Sequence, residues 1–135
     1  MKEVKQETNP DIIYLLKDYF TEDGIYTKEL AAQEMIRTME FRPEDICVLV
    51  GYEDNKFRGF LIGHLVDDRD YVYIDEAFST ADGDFALDGM NAFIEWCKLK
   101  NKKFVRFETE RDSVQMTCTK RYGFKEHGVI MQRQI

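Results

Sequence analysis

Cys47, Cys97 and Cys118, with His64 and His127, are the side chains from which a thiol nucleophile or a zinc site would have to be built. Their spacing supports neither. No two of the cysteines form a CxxC pair, their number is odd, and 2 histidines add too few ligands for a tetrahedral site. The plain reading is three reduced, buried thiols that behave as small hydrophobes. A nucleophilic cysteine would also need a base beside it, and the linear sequence brings neither histidine to one. No metal site is expected.

The carboxylates are better placed. Asp75 and Glu76 are adjacent in the run YVYIDEAF, Tyr71–Phe78. Strand alternation sends neighbours to opposite faces, so only one of the two would face a given cleft. Asp82 and Asp84 precede a long helical pattern, where an aspartate caps the helix and complements its dipole. Asp112 and Gln115 have the N-cap and N3 spacing of a capping box. The cluster Lys98, Lys100, Lys102, Lys103 and Arg106 falls at a helix end, where it reads as a solvated face complementing the dipole.

The elements that must position these residues follow one another without linker or repeat. Met1–Glu7 reads as a short edge strand. Asn9-Pro10 opens a helix, with Ile12, Ile13, Leu15, Leu16, Tyr19 and Phe20 at helical spacing, and Asp23-Gly24 breaks it. Thr27 caps a second helix carrying Leu30, Ala31, Met35 and Met39 on one face and stopping before Pro43. Ile46–Tyr52 is a continuous apolar run, the mark of a strand buried on both faces. Glu53–Lys56 turns it into the strand Phe57–Val66, and Asp67–Asp70 turns that into Tyr71–Phe78. A long amphipathic helix follows, with Leu87, Met90, Phe93, Ile94 and Cys97 recurring three or four apart and Trp96 on its flank. Phe104–Glu108 is the next strand, Asp112 to Arg121 a short helix ended by a left-handed Gly123, and Gly128–Met131 with Ile135 a closing strand.

With 135 residues the chain makes one domain, and 44% hydrophobic residues suffice for its core. A net charge of −7 disfavours a phosphate backbone, so no nucleic-acid partner is expected. No apolar run approaches the ~20 residues of a membrane span, and MKEVKQETNP lacks the apolar segment of a secretory signal. A cytoplasmic location is expected, with no membrane partner.

The element order, the strand FRGFLIG and the ending Tyr122-Gly123-Phe124 together resemble the GNAT superfamily of acyl-CoA N-acyltransferases, over nearly the whole chain. The resemblance implies an α/β (α+β) fold with a mixed, mostly antiparallel sheet in the order β-α-α-β-β-β-α-β-α-β. It also implies transfer of an acetyl group from acetyl-CoA to an amine. In such proteins the acyl-pantetheine arm lies along the fourth strand as an added strand would, here at Ala77 and Phe78. The pyrophosphate sits on the amides opening the next helix, here Gly83, Asp84, Phe85 and Ala86. The resemblance further aligns Asp112 with a cofactor-contacting Asn, Glu76 with a catalytic base, and Tyr122 as the nearest phenol to the thiolate-protonating position.

The sequence departs from the family pattern at three places. In the loop Ala81–Ala86 only Ala86 matches; Ala81 replaces a long donor and Asp84 replaces a glycine. Two carboxylates, Asp82 and Asp84, would then face the pyrophosphate, each like-charge contact costing on the order of 1–4 kcal/mol. Thr119 replaces the family's tyrosine, and a threonine is a far poorer acid than a phenol of pKa ~10. The alternative function is therefore a catalytically inactive GNAT-fold binding or structural protein, such as occurs among bacterial and phage proteins. The implied partners are a small amine or a Lys-bearing protein, with homodimerisation through the edge strands left open.

Overall fold

The computed structural model describes residues 1–21, 27–80, 83–108, 112–128, 131 and 133–134; the side chains of 83–85, 112, 113, 115 and 117 lie outside that description. The order is β1 (Lys2–Gln6), α1 (Ile12–Leu16, extended by a 3-10 turn at Lys17–Tyr19), α2 (Lys28–Phe41), β2 (Ile46–Glu53), β3 (Lys56–Leu65), β4 (Tyr71–Ser79), α3 (Gly83–Leu99), β5 (Phe104–Arg106) and α4 (Asp112–Arg121). Among the described residues five strands form one sheet in sequence order, all antiparallel neighbours except the parallel pair β4–β5. The helix α3 is the crossover that a parallel pair requires.

Local chemistry explains the boundaries. Asn9 Oδ1 accepts from the Asp11 amide at 2.9 Å, capping the turn that leads into α1. Thr27 Oγ1 accepts from the Leu30 amide at 3.2 Å and caps α2. Asp54 and Asn55, with φ of 52° and 65°, make the tight two-residue connection between β2 and β3. Gly123, at φ 73°, ends α4, and the amides of Tyr122 and Phe124 both donate to the Cys118 carbonyl at 3.1 Å.

The strand β2 is buried along its first six residues, because both faces of the sheet are covered. Ile46, Val48, Val50, Phe60 and Ile62 pack with α1 and α2 through Ile13, Leu16, Ala32, Met35 and Met39. Cys47, Leu49, Leu61, Val72 and Ile74 pack with α3 through Met90, Phe93, Trp96 and Cys97. Gly63 belongs to the second layer by necessity: a Cβ there would lie 2.3 Å from Phe93 Cζ.

Trp96, expected on the flank of α3, is buried with Met90, Phe93 and Cys97, and Leu87 is exposed, because those four residues set the stripe that meets the sheet. Two further expectations need correction. Leu30 is 46% exposed and Ala32 takes the inward place, because the buried stripe of α2 is set by Ala32, Met35 and Met39. The expected strand to Glu108 ends at Arg106. The break at Asp23-Gly24 lies outside the described residues, and so does the expected closing strand at residues 129, 130 and 135. No helix among the described residues is long and apolar enough to cross a membrane.

Candidate active site

The strand β4 carries an irregularity that decides the geometry. Ile62 of β3 pairs with Glu76 but the next residue, Gly63, pairs with Ile74, so Asp75 is an extra residue, a β-bulge. Its effect shows in the packing on either side. Val72 and Ile74 face α3, whereas Phe78, also even-numbered, packs on the α1/α2 layer. The alternation thus resets at Asp75, and Asp75 and Glu76 both face the α1/α2 side. The expectation that they point to opposite faces is wrong, because simple alternation holds only in an unbulged strand.

Each carboxylate has a partner on that side. Asp75 Oδ2 lies 2.7 Å from Nδ1 of His64, which stands on the same face of β3. An ionised carboxylate only accepts, so Nδ1–H is the donor and Nε2 is the bare nitrogen of the neutral ring. Glu76 accepts from the Thr21 amide with both oxygens at 3.1 Å, tying β4 to the segment after α1. Burial pushes the Glu76 carboxyl above the usual range, against the Thr21 hydrogen bond, while the Asp75 charge adds to the rise. Burial likewise raises Asp75, opposed by the His64 hydrogen bond. That same bond raises His64, against burial. Beside Glu76 on the strand, Phe78 stacks with Tyr19 and Phe57, at ring separations of 4.6 Å and 6.4 Å.

The bulge coincides with a second feature. The β4–β5 pairing covers only Tyr71–Tyr73 against Phe104–Arg106. From Ile74 to Phe78 no strand among the described residues pairs with the β5-side edge of β4. A free edge of extended backbone can accept an extended ligand by strand addition. The helix α3 begins at Gly83, a few residues beyond that edge, and the first-turn amides of this 17-residue helix have no acceptor within the helix itself.

The expected site residues fall on both sides of this frame. Ala77, the register partner of Leu61, is exposed on the α3 side, and Phe78 is on the other. Gly83 is the first residue of α3, Asp84 and Phe85 complete its first turn, and Ala86 follows, half-buried. Asp112 is the first residue of α4. Ala81 and Asp82 lie outside the described residues. Tyr122 packs on the α3-side core, with Phe124, which meets Phe107 edge-on at 5.1 Å. Tyr122 and Glu76 therefore approach from opposite faces of the sheet. Sequence reasoning missed the His64–Asp75 pair; the signal was Glu76 itself, a carboxylate interrupting the period-two stripe Val72, Ile74, Phe78. Among the described residues no group of three candidate metal ligands comes together.

Solved structures share this frame end to end. The aminoglycoside acetyltransferase AAC(6')-Iy, in complex with a CoA bisubstrate analogue, matches with a TM-score of 0.70 at 15% identity, over 100% of this chain and 99% of its own. A predicted acetyltransferase from Clostridium acetobutylicum, solved with acetyl-CoA, matches with a TM-score of 0.76 at 10% identity, over 99% of this chain and 96% of its own. The chain has the GNAT fold. An aminoglycoside acetyltransferase from an uncultured soil metagenomic sample, in complex with sisomicin, matches at 11% identity with a TM-score of 0.68, over 99% and 96% of the two chains. At such identities the likeness concerns the GNAT fold and not the residues of the site. No protein-family model matches the sequence, and no characterised relative matches it by sequence.

Proposed function

We propose that this GNAT-fold chain is an N-acyltransferase that moves an acetyl group from acetyl-CoA to an amine. The observation that carries the reading is the coincidence of bulge and splay. The β5-side edge of β4 loses its partner at Ile74, and the next two residues turn their carboxylates to the α1/α2 face. An extended backbone edge and a half-buried carboxylate thus adjoin one another. Backbone at Ala77 and Phe78 would hold the pantetheine arm, and the amides of Gly83, Asp84, Phe85 and Ala86 the phosphates. When bound, acetyl-CoA supplies an acetyl group activated as a thioester. Glu76, raised by burial, would take a proton from the acceptor's ammonium, directly or through water, leaving the neutral amine as the nucleophile. A carboxylate-lined acceptor side suits a cationic amine, and the solved neighbours include aminoglycoside acetyltransferases.

A second reading, a GNAT-fold binding protein without turnover, is favoured by two positions. Asp84 stands in the first turn of α3, where an anion would have to sit, and Tyr122 packs into the core on the face away from Glu76. Thermal melting with acetyl-CoA and with CoA separates the readings. A rise in Tm with millimolar acetyl-CoA is expected, because a ligand of the native state adds stability by mass action. An unchanged Tm sinks the transferase reading. Where binding is seen, Asp84→Gly should tighten it by removing a like charge.

A further inference from the structure

The bulged residue is also the residue that His64 holds. Asp75 has no register partner on β3, since Ile62 and Gly63 take Glu76 and Ile74 on either side of it. Its side chain reaches back past the Gly63–Ile74 rung to the imidazole of His64, itself paired with Tyr73. We propose that His64 and Asp75 form a positioning pair for Glu76: their hydrogen bond pins the bulge and so fixes the face Glu76 presents, and their combined charge governs how readily Glu76 takes a proton. The proposal rests on Glu76 being the base in the function above.

The charge part follows from adjacency. Asp75 and Glu76 are neighbours on one face, so a negative Asp75 makes ionisation of Glu76 harder. While His64 carries a proton the pair is neutral; when His64 is neutral the pair carries one negative charge and Glu76 becomes the stronger base. The surroundings of the pair include both signs. Glu34 of α2 favours protonation of His64, Arg42 just after that helix opposes it, and the Tyr73 ring of β4 lies 6.0 Å from the imidazole. The Thr21 amide is the group that faces Glu76 from the segment after α1.

The test is an NMR titration of the Glu76 carboxyl carbon and the His64 ring protons in the ligand-free protein, with two variants. Asp75→Asn should move the Glu76 midpoint down and the His64 midpoint down. His64→Gln leaves Asp75 without its imidazolium and should move the Glu76 midpoint up. The amide in Asp75→Asn can still accept a hydrogen bond and the amide in His64→Gln can still donate one, so the bulge stays pinned and charge is what changes. Opposite movements are the signature of charge, because loosening of the bulge would move Glu76 the same way in both. An unmoved Glu76 midpoint, or movement in one direction in both variants, overturns the proposal. If Asp75→Asn does not fold, His64→Gln still tests it: with the bulge still pinned, an upward Glu76 shift supports the charge account, and an unmoved or lowered Glu76 midpoint overturns the proposal. The titration needs no turnover, so failure of acetyl-CoA binding would sink the transferase reading and leave this result standing. In an active protein the acidic limb of kcat/KM against pH should follow the same shifts.

Discussion

In the proposed transfer the chemistry turns on Glu76, and this role is separable from ligand binding. Its carboxylate faces the α1/α2 side, while the proposed cofactor contacts are backbone groups of β4 and α3. Glu76→Gln should lower acetyl transfer by about 10²–10⁴-fold, the range for loss of a general base, with acetyl-CoA affinity unchanged by calorimetry. The pair beside it makes a stability prediction. His64 is raised above the ordinary imidazole value of about 6.5 by Asp75, so the folded state binds its proton more tightly than the unfolded chain. That contribution is complete below the unfolded pKa and is lost as pH rises through the folded one. Asp75 and Glu76, raised by burial, act with the same sign in their own lower range. Urea midpoints of the wild type should therefore fall as pH rises from the unfolded imidazole value of about 6.5 through the higher folded one. In His64→Gln that limb should flatten; a limb of unchanged slope would exclude His64 as its source.

Among the elements, β4 is where sequence and structure part. The strands, the Thr27 cap, the left-handed Gly123 and the order of all ten elements but the last follow from periodicity and turn chemistry. The bulge does not: Glu76 interrupts the stripe of Val72, Ile74 and Phe78, but register is a property of two strands together, and one strand alone does not show where it resets. Leu30 was misplaced for a related reason: several apolar stripes fit α2, and the packing of Ala32, Met35 and Met39 selects one. Of the site, the position of Glu76 was legible and its face relative to Asp75 was not. The packing of α3 on β3 is open to direct test. Gly63→Ala would place a methyl 2.3 Å from Phe93 Cζ and 3.0 Å from the Tyr73 carbonyl, so the ring must move. Overpacking of this kind costs about 1–3 kcal/mol. Thermal melting should show the loss, and the double variant Gly63→Ala, Phe93→Leu should recover part of it. Equal Tm for wild type and Gly63→Ala would contradict the packing.

Across the whole molecule, two cores share one sheet, and the three thiols report on them unequally. Cys47 is fully buried, and burial pushes its thiol up to about 12; Cys97, in the same layer, is pushed up to about 11. A thiolate is the reactive form, so neither should react in the folded state at neutral pH. Mass-resolved alkylation should modify the partly exposed Cys118 first. Cys47 and Cys97 should follow together, at a rate that tracks global unfolding as urea is added. Modification of both ahead of global unfolding would show that the α3 side opens before the rest.

The contact of Phe93 with Gly63 also acts as a ruler. Its ring is fully buried in the notch left by the missing side chain, one rung from the bulge. A ring seated in this way keys α3 against the sheet, so the helix can neither slide nor roll without unseating it. From Phe93 back to Gly83 is a span of ten residues, about 15 Å at the ~1.5 Å rise of an α-helix. The spacing between the helix's first amides and the open edge of β4 is thereby built in during folding, and a pantetheine chain arriving there would find its two anchor points already a fixed distance apart.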